Sequence, residues 1–142
     1  MTAGACSSLE RLPAEAGRLV SEARRAVLAT LSKSHRPHLV PVCFAVVGEE
    51  IVTAIDDKPK STRRPARLKN IERDPTVTLL FDRWDENWSR LGWVMLEGEA
   101  SIEPPGFASR ELQDRYTQYA EDPPRGEVIV VRPKKLRWWT YE

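Results

Sequence analysis

Apolar residues recur at Leu9, Leu12, Ala16, Leu19, Val20 and Ala23, close to helical spacing, and Pro13 sets the start of this first helix at about Ala14. The pattern then changes to β-rich runs. Ala26 to Leu31 and Leu39 to Val47 are separated by the polar stretch Ser32 to His38, and Gly48-Glu-Glu50 leads into Ile51 to Ile55. These three runs predict an antiparallel meander. Pro65 suits the first turn of a short second helix whose buried edge is Leu68 and Ile71, and Asp74-Pro75 ends it before a fourth strand at Thr76 to Asp82. A tryptophan-rich loop, Trp84 to Gly92, feeds a fifth strand at Trp93 to Ile102. Pro104-Pro-Gly106 introduces another helical stretch with Leu112, Tyr116, Tyr119 and Ala120 on one face, broken at Asp122-Pro-Pro124. Val128 to Val131 reads as a sixth strand, and Leu136 to Tyr141 as a short seventh strand or an extended interface arm.

Strands dominate, without regular alternation with long helices, which disfavours a doubly wound parallel sheet and favours a small antiparallel barrel with helices at its ends. The 142 residues suit a single domain spanning 1–142. Val40 to Val47 and Val77 to Phe81 are apolar on both faces, so the outer face is expected to meet a second subunit, and five tryptophans in so small a chain point the same way.

Composition excludes several classes. The N-terminus lacks a basic region followed by an apolar run, and no stretch approaches the roughly 18 apolar residues that span a bilayer, so a soluble, cytoplasmic protein is expected. Cys6, placed in a frayed N-terminus, and Cys43, in a strand, read as free thiols. His35 and His38 lack partners at ligand spacing, so no metal site is expected.

Charge changes the picture in one place. Lys58, Lys60, Arg63, Arg64, Arg67 and Lys69 are six of twenty-two basic residues in a chain whose net charge is only +1. Following a strand and entering a helix, they read as an anion-binding element, although Arg63, Arg64 and Lys69 are equally readable as solvated charges. The aromatics are not interleaved with these cations and acidic residues balance them elsewhere, so nucleic acid is not the expected partner.

Together with this order of elements, Ala29-Thr-Leu-Ser32, Asp57-Lys-Pro-Lys-Ser-Thr62, Arg67-Leu-Lys-Asn-Ile71 with Asp74-Pro75, and Asp82 to Val94 resemble the pyridoxamine 5'-phosphate oxidase-like, flavin-reductase-like split-barrel superfamily. Within it the chain resembles the branch that uses the deazaflavin coenzyme F420. The resemblance implies a mainly β, split antiparallel barrel of six to seven strands with short flanking helices, acting as a homodimer with the cofactor in a groove between subunits. It implies a cofactor phosphate held by Lys58, Lys60, Ser61 and Thr62, with Arg67 next, and a ring system running past Pro41, Val42 and Cys43. Charge-assisted hydrogen bonds and helix N-terminal amides suit phosphate, and Pro41 removes one backbone donor beside the ring.

The deazaflavin presents several anions along a line, which suits a run of cations better than flavin mononucleotide (FMN) does; FMN and a non-enzymatic carrier of a cofactor or haem remain the alternatives. The resemblance implies hydride transfer between reduced F420 and an electron-poor small molecule, with the cofactor carrying the chemistry and no catalytic side chain required. Tyr116, Tyr119 and His38 are candidate proton donors. The chain departs from the pattern of pyridoxamine phosphate oxidases in lacking an Arg-x-His pair near its end, which argues against vitamin B6 oxidation. Gly92 and Asp57 also stand where relatives tend to have an aromatic and a histidine.

Overall fold

From Gly92 to Ala100 buried and half-buried residues alternate without a break, the signature of a strand with one face on the core. That strand, twelve residues long, is the spine of the sheet. The structure is a computed structural model and describes residues 1–56 and 64–141. Its elements are β1 (Thr2–Cys6), α1 (Ala14–Glu22), β2 (Ala26–Leu31), β3 (Pro37–Val42), β4 (Ala45–Val47), β5 (Glu50–Ala54), α2 (Ala66–Arg73), β6 (Thr76–Arg83), β7 (Gly92–Glu103), α3 (Ser109–Arg115), α4 (Thr117–Glu121) and β8 (Val128–Thr140).

The strands form one antiparallel sheet in the order β3-β2-β6-β7-β8-β5-β4, and β1 adds to β8. The curled sheet is a split barrel, as expected. The three-strand meander is corrected: β2 pairs with β3 at one edge of the sheet, while β5 pairs with β4 and β8 at the other. The run Leu39 to Val47 is therefore two strands. Between them, at Cys43 and Phe44, the chain crosses from one sheet edge to the other, and the Phe44 ring drops into the core edge-on to Phe81, centroids 4.9 Å apart.

Two further strand expectations change for local reasons. Val128 to Val131 and Leu136 to Tyr141 belong to the single strand β8, which absorbs Pro133 through a register shift: Glu97 faces Lys135 and Gly98 faces Pro133, leaving Lys134 as the extra residue. Only glycine fits at 98, because a Cβ there would overlap the Arg132 carbonyl. The N-terminus, expected to fray, pairs along β8 from Thr2 with Thr140 to Cys6 with Leu136. Gly4 makes room for Trp138, whose ring lies 2.7 Å from where a Cβ would sit.

The barrel interior is filled by Leu28, Phe44, Ile51, Leu68, Leu79, Phe81, Leu96, Ile129 and Leu136 among others. A smaller cluster lies on the opposite face of β4, β5 and β8, where Ala45, Val52, Ala54, Val128 and Val130 pack under Leu112, Tyr116 and Tyr119 of the α3–α4 hairpin. That cover explains why Val128 to Val131 is apolar at every position. No helix among the described residues is long and apolar enough to cross a membrane.

Candidate functional site

Helix α2 enters where the basic segment ends. Its N-cap is Pro65, with φ −56° and ψ 143°, so this proline precedes the helix instead of opening its first turn. An apolar edge of Leu68 and Ile71 seats it in the core, and Asn70 fixes its rotation: the buried Nδ2 donates to Thr30 Oγ1 at 2.9 Å. Asn70 Oδ1 accepts from Arg73 at 3.0 Å, and Arg73 also donates to the Leu31 carbonyl at 2.8 Å. The C-terminal half of α2 is thus tied to β2.

Arg67, in the first turn, is half-buried, and its Nε is shielded from solvent without a hydrogen-bond partner among the described residues. Burial lowers its pKa from the ordinary guanidinium value, while Tyr119 works in the opposite direction. The Tyr119 phenol is raised well above its usual range, first by burial and then by the neighbouring Cys43 and Asp56. Tyr119 of α4 thus marks a partly desolvated corner that interacts electrostatically with Arg67 of α2, with Cys43 of the β3–β4 crossing and with Asp56 beyond β5. A desolvated guanidinium with an unused donor is suited to a ligand that supplies negative charge.

The expected site residues fall into three groups. Lys58, Lys60, Ser61 and Thr62 lie outside the described residues, as do Asp57 and Arg63. Arg67 and Cys43 each interact electrostatically with Tyr119. Pro41 and Val42 lie on the edge strand β3, where a residue without an N–H is tolerated. The Val42 side chain is buried in the core, so only its backbone faces outward possibilities for contact, whereas Pro41 is exposed beside Val27.

The proton-donor candidates separate as clearly. Tyr116 is committed to the fold: its hydroxyl donates to the Arg24 carbonyl and accepts from the Phe44 amide, each at 3.0 Å. Its neighbour Tyr119 packs edge-on against it, centroids 5.5 Å apart, at the polar corner. His38, read from the sequence as part of the polar stretch between strands, belongs to β3; it pairs in register with Thr30, and its Nδ1 is buried without a partner among the described residues.

Arg64 differs from Arg67. It reaches Glu127 with two nitrogens, Nε to Oε1 at 3.1 Å and Nη2 to Oε2 at 3.0 Å, and a third nitrogen donates to Glu72. These carboxylates raise its pKa, and its charge is already matched. The pairing links residues 63 positions apart, which no reading of local spacing reveals.

Trp84 and Trp88 are 69 % and 60 % exposed and lean on each other at 6.4 Å. A cleft of about 300 Å³ near them, lined by Glu15, Arg18, Glu22, Arg83, Ser89 and Arg90, is less suited to an anion. Arg18 and Arg83 pair with Glu15, and Arg90 with Asp85. Among the described residues no group of three or more His, Cys, Asp or Glu is arranged to hold a metal ion, and both cysteines are free thiols.

The profile of the family described as "Pyridoxamine 5'-phosphate oxidase" matches residues 12–140. No curated protein matches the chain. Among solved structures, a conserved hypothetical protein from Mycobacterium tuberculosis superposes with a TM-score of 0.70 at 24 % identity, covering 88 % of this chain and 82 % of its own. An F420 reductase superposes with a TM-score of 0.67 at 24 % identity, covering 88 % and 98 %. A FAD-binding protein from Mesorhizobium loti gives 0.63 at 14 % identity, covering 97 % of both chains. At these identities the likeness is one of fold.

Proposed function

Because this chain belongs to the pyridoxamine 5'-phosphate oxidase family, whose fold it carries almost end to end, we propose that it is an F420-dependent oxidoreductase that transfers a hydride between the reduced deazaflavin and an electron-poor small molecule. The observation that carries this reading is the half-buried Arg67, with its unused Nε, at the head of α2 and the end of a segment rich in cations. One terminal phosphate needs few cations; an anionic tail extended along the protein engages several. The likeness to an F420 reductase over 98 % of that protein's length agrees with this, and the likeness to a FAD-binding protein keeps a flavin, FMN above all, as the competing cofactor.

In this reading Lys58, Lys60, Ser61, Thr62 and Arg67 hold the anionic tail, and the backbone at Pro41 to Cys43 lines the ring. When bound, the cofactor supplies the hydride from its C5. The protein's part is to bind, orient and exclude water. Tyr119 keeps its proton throughout the neutral range, because burial and the neighbouring Cys43 and Asp56 oppose ionisation; it serves as a hydrogen-bond donor at the polar corner. Tyr116, with its proton given to Arg24, holds the β3–β4 crossing in place.

The outer face of the sheet supports a homodimer in the same proposal. Val27, Leu80 and Met95 lie side by side in register, half-buried, with Pro41 beside Val27, and form an apolar row backed by the core residues Leu28, Leu79 and Leu96. In this proposal a second copy packs against that row. Two free thiols suit the cytoplasm.

Steady-state oxidation of reduced F420 by a panel of activated alkenes and quinones tests the reading. Turnover with F420 and none with reduced FMN is the expected result; turnover only with FMN, or none with either, would overturn it.

A further inference from the structure

Ile55 and Arg64 are both fastened to one short stretch, Gly126-Glu127. Before the segment, the Ile55 amide donates to the Glu127 carbonyl at 2.9 Å and the Gly126 amide to the Ile55 carbonyl at 3.1 Å. Gly126 permits this approach, since a Cβ there would stand 2.5 Å from the Ile55 oxygen. Ahead of α2, the Glu127 side chain holds Arg64 through the two-point contact described above, and Arg64 also holds Glu72 on α2. Arg64, Pro65 and the first turn of α2 thus have their own anchor. It is separate from the Asn70–Thr30 and Arg73–Leu31 bonds that fix the helix farther along.

We propose that Glu127, Arg64 and Glu72 form a clamp that sets the position of the first turn of α2, and with it the Arg67 guanidinium, so that Arg64 is a positioning residue and not an anion ligand. The sequence groups Arg64 with the other cations, but its surroundings give it a different task. A guanidinium forked onto one carboxylate and touching a second has its donors occupied and its charge balanced, whereas Arg67 three residues on has an unused donor and no carboxylate partner among the described residues. The fork is directional, so it fixes orientation as well as distance. The part of the proposal that concerns the cofactor rests on the F420 reading; the part that concerns α2 does not.

The test is the Glu127→Gln variant, with Arg64→Lys beside it, since lysine keeps the charge but not the fork. Amide hydrogen exchange reports on the helix: Leu68, whose amide bonds to the Pro65 carbonyl at 3.1 Å, should exchange roughly fivefold faster or more, while Asp74, bonded to Asn70 at 2.8 Å, should be unchanged. F420 titration reports on the site, and affinity should fall roughly tenfold in both variants. Unchanged exchange at Leu68 would overturn the clamp. So would tighter F420 binding by Glu127→Gln, because freeing Arg64 helps only if Arg64 is itself a ligand. If the wild type binds no F420 while Leu68 still exchanges faster in both variants, the cofactor reading fails and the clamp on α2 stands.

Discussion

The Tyr116 hydroxyl lies 3.0 Å from the amide nitrogen of Phe44, at the one point where the chain passes from one edge of the sheet to the other. An amide there has left the ladder of β3 and has not yet joined β4, so a side chain must satisfy it. Tyr116 does so while giving its own proton to the Arg24 carbonyl at 3.0 Å, and the Arg24 and Arg115 guanidiniums lie over its ring at 4.7 and 5.8 Å. Tyr116→Phe keeps the ring and removes both hydrogen bonds. It is expected to cost about 1 to 3 kcal/mol. Urea unfolding checks this through a lower midpoint with an unchanged slope.

Glycine positions separate required flexibility from spare room. At Gly98 the bulge between β7 and β8 leaves no space for a Cβ, so Gly98→Ala should destabilise by roughly 1 to 3 kcal/mol or more. Gly17 lies within α1 with nothing near its missing side chain. Gly17→Ala should therefore stabilise by about 0.4 to 1 kcal/mol. Thermal unfolding of the two variants should move the midpoint in opposite directions.

The elevated Tyr119 phenol has a consequence for alkaline stability. Its folded pKa lies above the unfolded value of about 10, so the folded state retains a proton that the unfolded chain releases. The contribution is fully present below that value and is lost as pH rises beyond it. Stability of the wild type should fall above about pH 10, and Tyr119→Phe should flatten that limb of the pH profile. Unfolding midpoints across the alkaline range report it.

Asp74 acts at the other end of the scale. Hydrogen bonds from Thr76, first its backbone amide at 3.0 Å and then its hydroxyl, hold the carboxyl below its ordinary range, with Arg73 and His35 adding in the same sense. A depressed folded pKa gives stability that is present above the unfolded value of about 4 and lost as pH falls through the folded one. Asp74→Asn should lose little at neutral pH relative to Asp74→Ala and should weaken the acid dependence; thermal melts from pH 6 downward show the difference.

Much of the fold was legible because each element carries a local signal. Leu19 and Val20 on α1 and Leu68 and Ile71 on α2 place their own faces toward the core, and Trp93 to Ile102 lies wholly within β7. What was not legible depends on distant partners. Leu39 to Val47 reads as one strand because its β propensity is continuous, and the break at Cys43–Phe44 exists only because the two halves pair with opposite edges. Pro133 suggests an interruption, yet Gly98 across the sheet lets β8 bulge and continue. For the site, Arg67 and Cys43 were visible as residue types, but the electrostatic influence each shares with Tyr119 and the neutralisation of Arg64 by Glu127 are products of the fold.

For the residues proposed to hold the anionic tail, Arg67→Ala should weaken F420 binding by about 1 to 3 kcal/mol with folding little changed, and Lys58→Ala and Lys60→Ala should do the same. Arg67→Lys should lie between Arg67→Ala and the wild type, since it keeps charge but not the planar fork. Calorimetric titration of each variant gives the comparison.

The most direct measurement is a titration of the wild-type protein with F420 and, separately, with FMN, followed by quenching of cofactor fluorescence. The account predicts micromolar affinity for F420 and binding of FMN weaker by at least roughly tenfold, as an extended anionic tail engages cations that a single phosphate leaves unused. FMN binding as tightly as F420 or more so would contradict it.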